Sequence, residues 1–205
     1  MKSPFHPPLL LLTSLLLLHF SGHSQTRLAG NSATRQTYRP APKKNAAHIL
    51  TGADQMEKYL PLLKGHSVAI FANQTAIVGS SHLVDTLLKA GIHIAKIFSP
   101  EHGFRGDADA GEHVNSAVDP KTGIPIISLY GSKRKPSATD LEGVDIMLFD
   151  IQDVGVRFYT YISSLQEYVE SAIENHRPLI ILDRPNPNGF YVDGPVLDKK
   201  FKSFV

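Results

Sequence analysis

The sequence predicts an α/β domain built on an open, mainly parallel sheet with flanking helices, and the pattern of its apolar segments carries that reading. Short continuous apolar runs such as Val68-Ala69-Ile70-Phe71-Ala72 and Ile146-Met147-Leu148-Phe149 have the length and β-rich composition of buried strands. Segments with apolar residues at helical spacing stand between them, and alternation of this kind builds parallel βαβ units. Several of the runs also stop in clusters of polar and charged residues, as strands do where a parallel sheet opens onto a ligand crevice. With 42% hydrophobic and 20% charged residues in 205, the chain can bury one ordinary core.

In chain order, Lys2 and His6 precede the apolar run Leu9–Phe20, and the small residues Ser21, Gly22 and Ser24 follow it. This is the pattern of a signal peptide over residues 1–24, cleaved after Ser24, and it predicts an exported, periplasmic or secreted protein. The run falls short of the roughly 20 apolar residues that span a bilayer, so no stable membrane span is expected. Residues 25–47 are rich in Thr, Arg, Ser, Pro, Ala and Lys, bury little, and predict a flexible leader before a domain over 48–205.

Thr51, Gly52 and Asp54 supply capping chemistry for a helix through Met56, Leu60 and Leu63, which Pro61 shortens or kinks and Gly65 ends. The strand Ser67–Ala72 follows and ends in Asn73, Gln74 and Thr75. A helix from His82 to Ala90 carries Leu83, Val84, Leu87 and Leu88, and Gly91 stops it before the strand Ile94–Phe98. Residues 107–125, rich in Asp and Gly, read as a long loop. Further strands are expected over 124–130, 144–149 and 179–182. Between them lie a basic turn at 131–136, a short helix at Asp140 and Leu141, and a helix with Ile162, Leu165, Tyr168, Val169 and Ile173 on one face.

The strand ends carry Asn73 and Gln74, then Glu101 and His102, then Asp150, Gln152, Asp153 and Arg157, then Asp183, Arg184 and Asn186. In a parallel sheet these ends share one edge, so the groups converge. A Glu beside a His suits a general acid, because an imidazole or a dry pocket can keep the carboxyl protonated near neutrality. Paired carboxylates are the usual machinery of glycoside hydrolysis, and Asp150 or Asp153 is the candidate for the second. The competing reading of Asp150 and Asp183 is an ion-pair network with Arg157 or Arg184 that fixes the loops. His102, His113, Asp107 and Asp109 match no recognised zinc or calcium spacing, so loop capping is the expected role.

Other classes are disfavoured. A net charge of +2 without a basic block leaves no footprint for nucleic acid. There is no dinucleotide fingerprint and no Gly-x-Ser-x-Gly elbow. The absence of cysteine excludes disulfides, thiolate metal sites, a cysteine nucleophile and a lipid-modified cysteine after the signal.

Four motifs in order carry a family resemblance: Ser99-Pro100-Glu101-His102-Gly103-Phe104-Arg105-Gly106, Ser128-Leu129-Tyr130-Gly131, the stretch from Phe149 to Tyr161, and Leu182-Asp183-Arg184-Pro185-Asn186-Pro187. Together they resemble the exo-β-N-acetylmuramidases of the NamZ type, over Asn73 to Val205. The resemblance implies a Rossmann-like catalytic domain that removes terminal β-linked N-acetylmuramic acid from the non-reducing ends of peptidoglycan fragments, without metal or organic cofactor. It also implies a smaller C-terminal domain closing the cleft, which this chain lacks, so that the sequence is expected to be part of a longer protein.

Carried over by position, Glu101 matches the glutamate of the Pro-Glu-His-Gly motif as the acid, with His102 to tune or orient it. Asp150, Gln152, Asp153, Arg157 and Tyr159 match the third motif, and Arg184 and Asn186 the last. The lactyl carboxylate of muramic acid calls for an arginine fork, with Arg157 the first choice and Arg105 the second. The alternatives are a metal-assisted hydrolase using His102 and the aspartates, or a non-catalytic module that binds muramyl glycans.

Overall fold

The computed structural model describes residues 49–106 and 117–205. The signal-like segment, the leader, and the candidate ligands Asp107, Asp109 and His113 lie outside these residues. Helix α1 is Met56–Leu63. It is followed by strands β1 (Ser67–Ala72), β2 (Ile77–Val78) and β3 (Ser81–His82), and then by helix α2 (Leu83–Lys89). Strands β4 (His93–Ser99), β5 (Ala117–Val118) and β6 (Pro125–Ser128) lead through a 3₁₀ turn at Thr139–Leu141 to β7 (Ile146–Asp150). Helix α3 (Tyr161–Glu174), β8 (Leu179–Ile181) and a last 3₁₀ turn at Lys199–Phe201 complete the described chain.

The expected sheet is present. Its strand order is β5-β6-β4-β1-β7-β8, with β6, β4, β1, β7 and β8 parallel and β5 antiparallel at the edge. Both faces are covered, which is why the central strands are apolar throughout rather than alternating. On one face Val68, Ile70, Ile97 and Leu148 pack with Leu63 of α1 and Leu83, Val84 and Leu87 of α2. On the other, Ala69, Phe71, Phe98, Met147 and Phe149 pack with Tyr168 and Ala172 of α3.

Several local expectations need correction. The Thr51 and Asp54 pair forms a reciprocal capping box, with Thr51 N donating to Asp54 Oδ2 at 3.0 Å and Asp54 N to Thr51 Oγ1 at 3.2 Å. It closes the turn before α1, however, and the helix itself starts from Gln55 with no side-chain cap. The hairpin β2–β3 was not expected, and His82 caps α2 instead of opening it, its Nδ1 accepting from Val84 N at 3.2 Å. The loop expected over 107–125 contains β5, which a turn at Asp119 folds back onto β6 through Asp119 N to Ile124 O, 2.9 Å.

Helix α3 faces the sheet through Tyr161, Ser164, Tyr168, Ser171 and Ala172, leaving Ile162 and Ile173 exposed. Small side chains at Ser164, Ser171 and Ala172 let the helix approach closely around Tyr168. The Tyr168 ring meets Phe71 at 5.1 Å and Phe98 at 5.8 Å, both edge to face. Among the described residues no helix is long and apolar enough to cross a membrane.

Candidate active site

The strand order sets where a ligand crevice opens. The chain runs from β1 outward to β4 and β6, then returns to add β7 on the other side of β1, so the order reverses between β1 and β7. Ligands of open α/β sheets bind beyond the carboxyl ends of the strands at such a reversal. There Ala72 pairs with Asp150, while Phe71 pairs with Phe98, Ser99 with Ser128 and Phe149 with Ile181. Asn73, Glu101, Tyr130, Asp150 and Arg184 therefore all stand at this edge.

Asn73 is fully buried. Its Oδ1 accepts from Thr75 N at 3.0 Å and Thr75 Oγ1 at 2.6 Å, and its backbone carbonyl accepts from His82 Nε2 at 2.9 Å. His82 is kept neutral by burial, which lowers its pKa, and its ring lies 4.6 Å from Phe104, edge to face. The end of β1 is thus tied to the loop after β4. Gln74 is exposed and packs its side chain over Gly106.

That loop turns tightly, with Gly103 N donating to Pro100 O at 3.2 Å. His102 adopts φ +71, in the left-handed region that non-glycine residues rarely occupy and that marks functional sites more often than chance. Glu101 is half-buried, and its interaction with the nearby Tyr130 raises the pKa of that phenol. Arg105 points elsewhere. Its guanidinium grips buried Asp119 through Nε and Nη2 at 2.8 Å each, reaches Asp85 at 3.3 Å, and stacks 4.8 Å over Phe104. Hydrogen bonding from Arg105 holds the Asp119 carboxyl down to about 2.

Asp150 is fully buried and forms a fork with Arg184, Nε to Oδ1 at 2.5 Å and Nη2 to Oδ2 at 2.8 Å. Burial pushes the Asp150 carboxyl up, and Arg184 opposes it. Arg184 also donates to Ile77 O at 3.2 Å, so the pair staples the β8 end to the β2–β3 hairpin. Asp183 is exposed and its carbonyl accepts from Gly52 N at 2.6 Å.

Gln152 joins three segments. Its N donates to Thr75 Oγ1 at 2.9 Å, and its Nε2 to Asp153 O at 2.8 Å and Pro185 O at 2.9 Å. Asp153 Oδ2 accepts from Gly155 N at 2.8 Å, while its Oδ1 is buried and makes no hydrogen bond. Gly155 has φ +73, and a Cβ there would stand 2.0 Å from Asn186 Oδ1, so only glycine lets these loops meet. A cleft of about 840 Å³ opens beside them, lined by Arg157, Phe158, Asn186, Asn188 and Tyr191 among others. Arg157 is exposed there and donates to Pro195 O. Tyr159 and Tyr161 stack edge to face at 4.9 Å. The Tyr161 phenol is pushed up to about 12, by burial first and then by Tyr159, and it also feels the Asn73 amide and the Glu101 charge.

The buried polar atoms concentrate at this edge. Asn73 Nδ2, Ser99 Oγ, Ser128 Oγ and Asp153 Oδ1 make no hydrogen bond within the protein, and among the described residues Arg177 Nε is the fifth such atom. Buried polar groups are satisfied almost everywhere else in folded proteins, so their clustering makes the strand ends the candidate site. Glu101, Asn73 and the strand-end hydroxyls share the sheet edge, Tyr161 feels both Glu101 and Asn73 and meets the Tyr159 ring, and Arg157 and Asn186 line the adjoining cleft. Gln152 and Asp153 connect the two. Among the described residues no three His, Asp or Glu side chains converge as a metal site would require.

Tyr130 and Tyr161 stand inside the quoted motifs but were not singled out as site residues, and neither was Asp119. Tyr130 had a usable signal, since it stands two residues beyond the β6 end just as Glu101 stands two beyond the β4 end.

The profile of the family described as exo-beta-N-acetylmuramidase NamZ, N-terminal, matches residues 68–205. Peptidoglycan beta-N-acetylmuramidase NamZ of Bacillus subtilis is 45% identical over 161 residues, covering 77% of this chain and 39% of the relative. Two crystal structures of DUF1343 family proteins from Bacteroides fragilis superpose with a TM-score of 0.67 each. One is 48% identical over 78% of this chain and 41% of its own, the other 37% identical over 76% and 40%. The chain spans about two fifths of the length of these relatives.

Proposed function

The chain belongs to the family of exo-β-N-acetylmuramidases of the NamZ type, whose N-terminal part it matches, and on that premise we propose that it carries the catalytic residues of an exo-acting glycosidase. The substrate class is peptidoglycan fragments, from whose non-reducing ends terminal β-linked N-acetylmuramic acid is removed. The observation that carries the reading is Glu101, half-buried beyond β4 and within electrostatic reach of Tyr130 and Tyr161.

In this reading the protonated Glu101 carboxyl gives its proton to the glycosidic oxygen as the C1–O bond breaks. Water supplies the hydroxyl that C1 gains and the proton that reloads the acid. Asp153 is the second carboxylate. Asp150 is enclosed in its fork with Arg184 and serves to hold the loops, whereas Asp153 has a buried oxygen with no partner beside the cleft. His102 holds the turn that presents the acid. Arg157, exposed in the cleft, reads the lactyl carboxylate through a charge-assisted pair, while Arg105 is taken up by Asp119 and Asp85. Asn73 and Gln152 shape the crevice, and Gln74, Tyr159 and Asn186 line its walls.

The signal-like run Leu9–Phe20 supports export to the compartment where such fragments arise. Product analysis tests the activity. The protein used is a chimaera, this chain continued by the C-terminal part of the Bacillus subtilis relative, and the substrates are synthetic β-glycosides of N-acetylmuramic acid and N-acetylglucosamine. Release of N-acetylmuramic acid in preference to N-acetylglucosamine is expected. Binding of the muramyl glycoside without release would instead support a glycan-binding module.

A further inference from the structure

We propose that Arg105 is a positioning residue for acid catalysis, its ion pair with Asp119 fixing the far end of the short turn that carries Glu101. The inference rests on the glycosidase reading above and deepens it. At the near end of the turn, Ser99 is the last residue of β4, paired with Ser128 of β6, and its carbonyl accepts from Leu129 N at 2.8 Å. At the far end Phe104 is buried in the core beside the His82 ring, and Arg105 grips Asp119 through Nε and Nη2 at 2.8 Å each. Only Pro100, Glu101, His102 and Gly103 lie between these anchors, and the hydrogen bond from Gly103 N to Pro100 O at 3.2 Å closes them into a turn.

The anchor is itself held on several sides. Asp119 is fully buried, its Oδ2 also accepts from Thr122 Oγ1 at 2.6 Å, its N donates to Ile124 O at 2.9 Å and its carbonyl accepts from Gly123 N at 2.8 Å. Arg105 Nη2 reaches Asp85 of α2 at 3.3 Å, and Lys121 closes on the same carboxylate at 2.5 Å, so one network joins the turn of the acid, α2 and the connection between β5 and β6. Burying these charges carries a desolvation cost that an apolar contact would avoid, so stability alone does not explain the pair. A guanidinium held at two points on a carboxylate adds direction, which an apolar contact lacks. Direction is what a general acid requires, since a shift of about 1 Å in a reacting group can cost about 10²-fold in rate.

Dependence on the leaving group separates positioning from a purely structural role. In the chimaera described above, Arg105→Lys keeps the charge but cannot hold two points, and Asp119→Asn keeps the size but removes the charge. Each is assayed well below its unfolding temperature on a β-N-acetylmuramyl disaccharide, whose sugar alkoxide needs protonation to depart, and on the 4-nitrophenyl β-glycoside of N-acetylmuramic acid, whose phenolate hardly does. Both variants are expected to lose roughly tenfold or more in kcat on the disaccharide, with KM little changed, and less than about twofold on the aryl glycoside. Equal losses on the two substrates, loss of both through unfolding included, would show a purely structural pair and overturn the proposal, as would the absence of a disaccharide loss in either variant. A rise in KM for Arg105→Lys alone would place Arg105 on the substrate instead and overturn it too. If the parent chimaera releases N-acetylmuramic acid from neither substrate, the glycosidase reading itself fails, and this inference with it.

Discussion

His102 and Asp119 show what single residues contribute. A histidine at φ +71 is held against its own preference at a cost of order 1–3 kcal/mol, and such strain persists where a side chain is needed at that point. His102→Gly should therefore raise stability by about 1 kcal/mol while lowering turnover, measured as a urea midpoint beside a rate; a loss of both would remove the strain argument. Asp119 works in the opposite sense. Arg105 depresses its folded pKa to about 2, below the unfolded value, so its stabilisation is complete above about pH 4 and disappears as pH falls through the folded pKa. Asp119→Asn should cost about 2 kcal/mol at neutral pH, and urea titrations should show the gap closing toward about pH 2. A gap independent of pH would mean that the carboxylate charge is not what holds this turn.

At the scale of elements, the main strands and helices were legible because each carries a full apolar period or an unbroken apolar run. The hairpin β2–β3 and strand β5 were not, since two residues hold no periodicity and their pairing is set by turns at Gly79-Ser80, where Gly79 has φ +60, and at Asp119. The face of α3 was misread for a related reason. Hydrophobicity favoured Ile162 and Ile173, whereas close approach to the sheet favoured Ser164, Ser171 and Ala172. The turn before α1 depends on one close contact, for a Cβ on Gly52 would stand 2.5 Å from Asp183 N at the end of β8. Gly52→Ala should destabilise by about 1–3 kcal/mol in chemical denaturation, by pushing this turn off the strand end that also carries Arg184. Stability within error of the parent would show that the turn can move freely.

Over the whole molecule, the convergence of strand-end groups on one edge follows from parallel pairing and was legible before any coordinates. The division of labour among them was legible only in part. The pairing of Asp150 with Arg184 that fixes the loops was one of the readings the sequence left open, and the fork decides for it, whereas the pair of Arg105 with Asp119 was not foreseen and only its contacts reveal it. Tyr130 entered only as part of a motif, because a tyrosine after an apolar run reads as one more core residue, and register with the neighbouring strand places it at the same edge as Glu101.

The central claim is that Glu101 delivers the proton, and Glu101→Gln in the chimaera tests it most directly, with turnover of the muramyl disaccharide and its binding measured on the same preparation. Glutamine keeps the shape and hydrogen bonds of the side chain but has no proton to give, so turnover should fall about 10²–10⁴-fold while the disaccharide still binds with an affinity near that of the parent. Near-normal turnover in Glu101→Gln would contradict the account and move the acid to Asp150, Asp153 or His102.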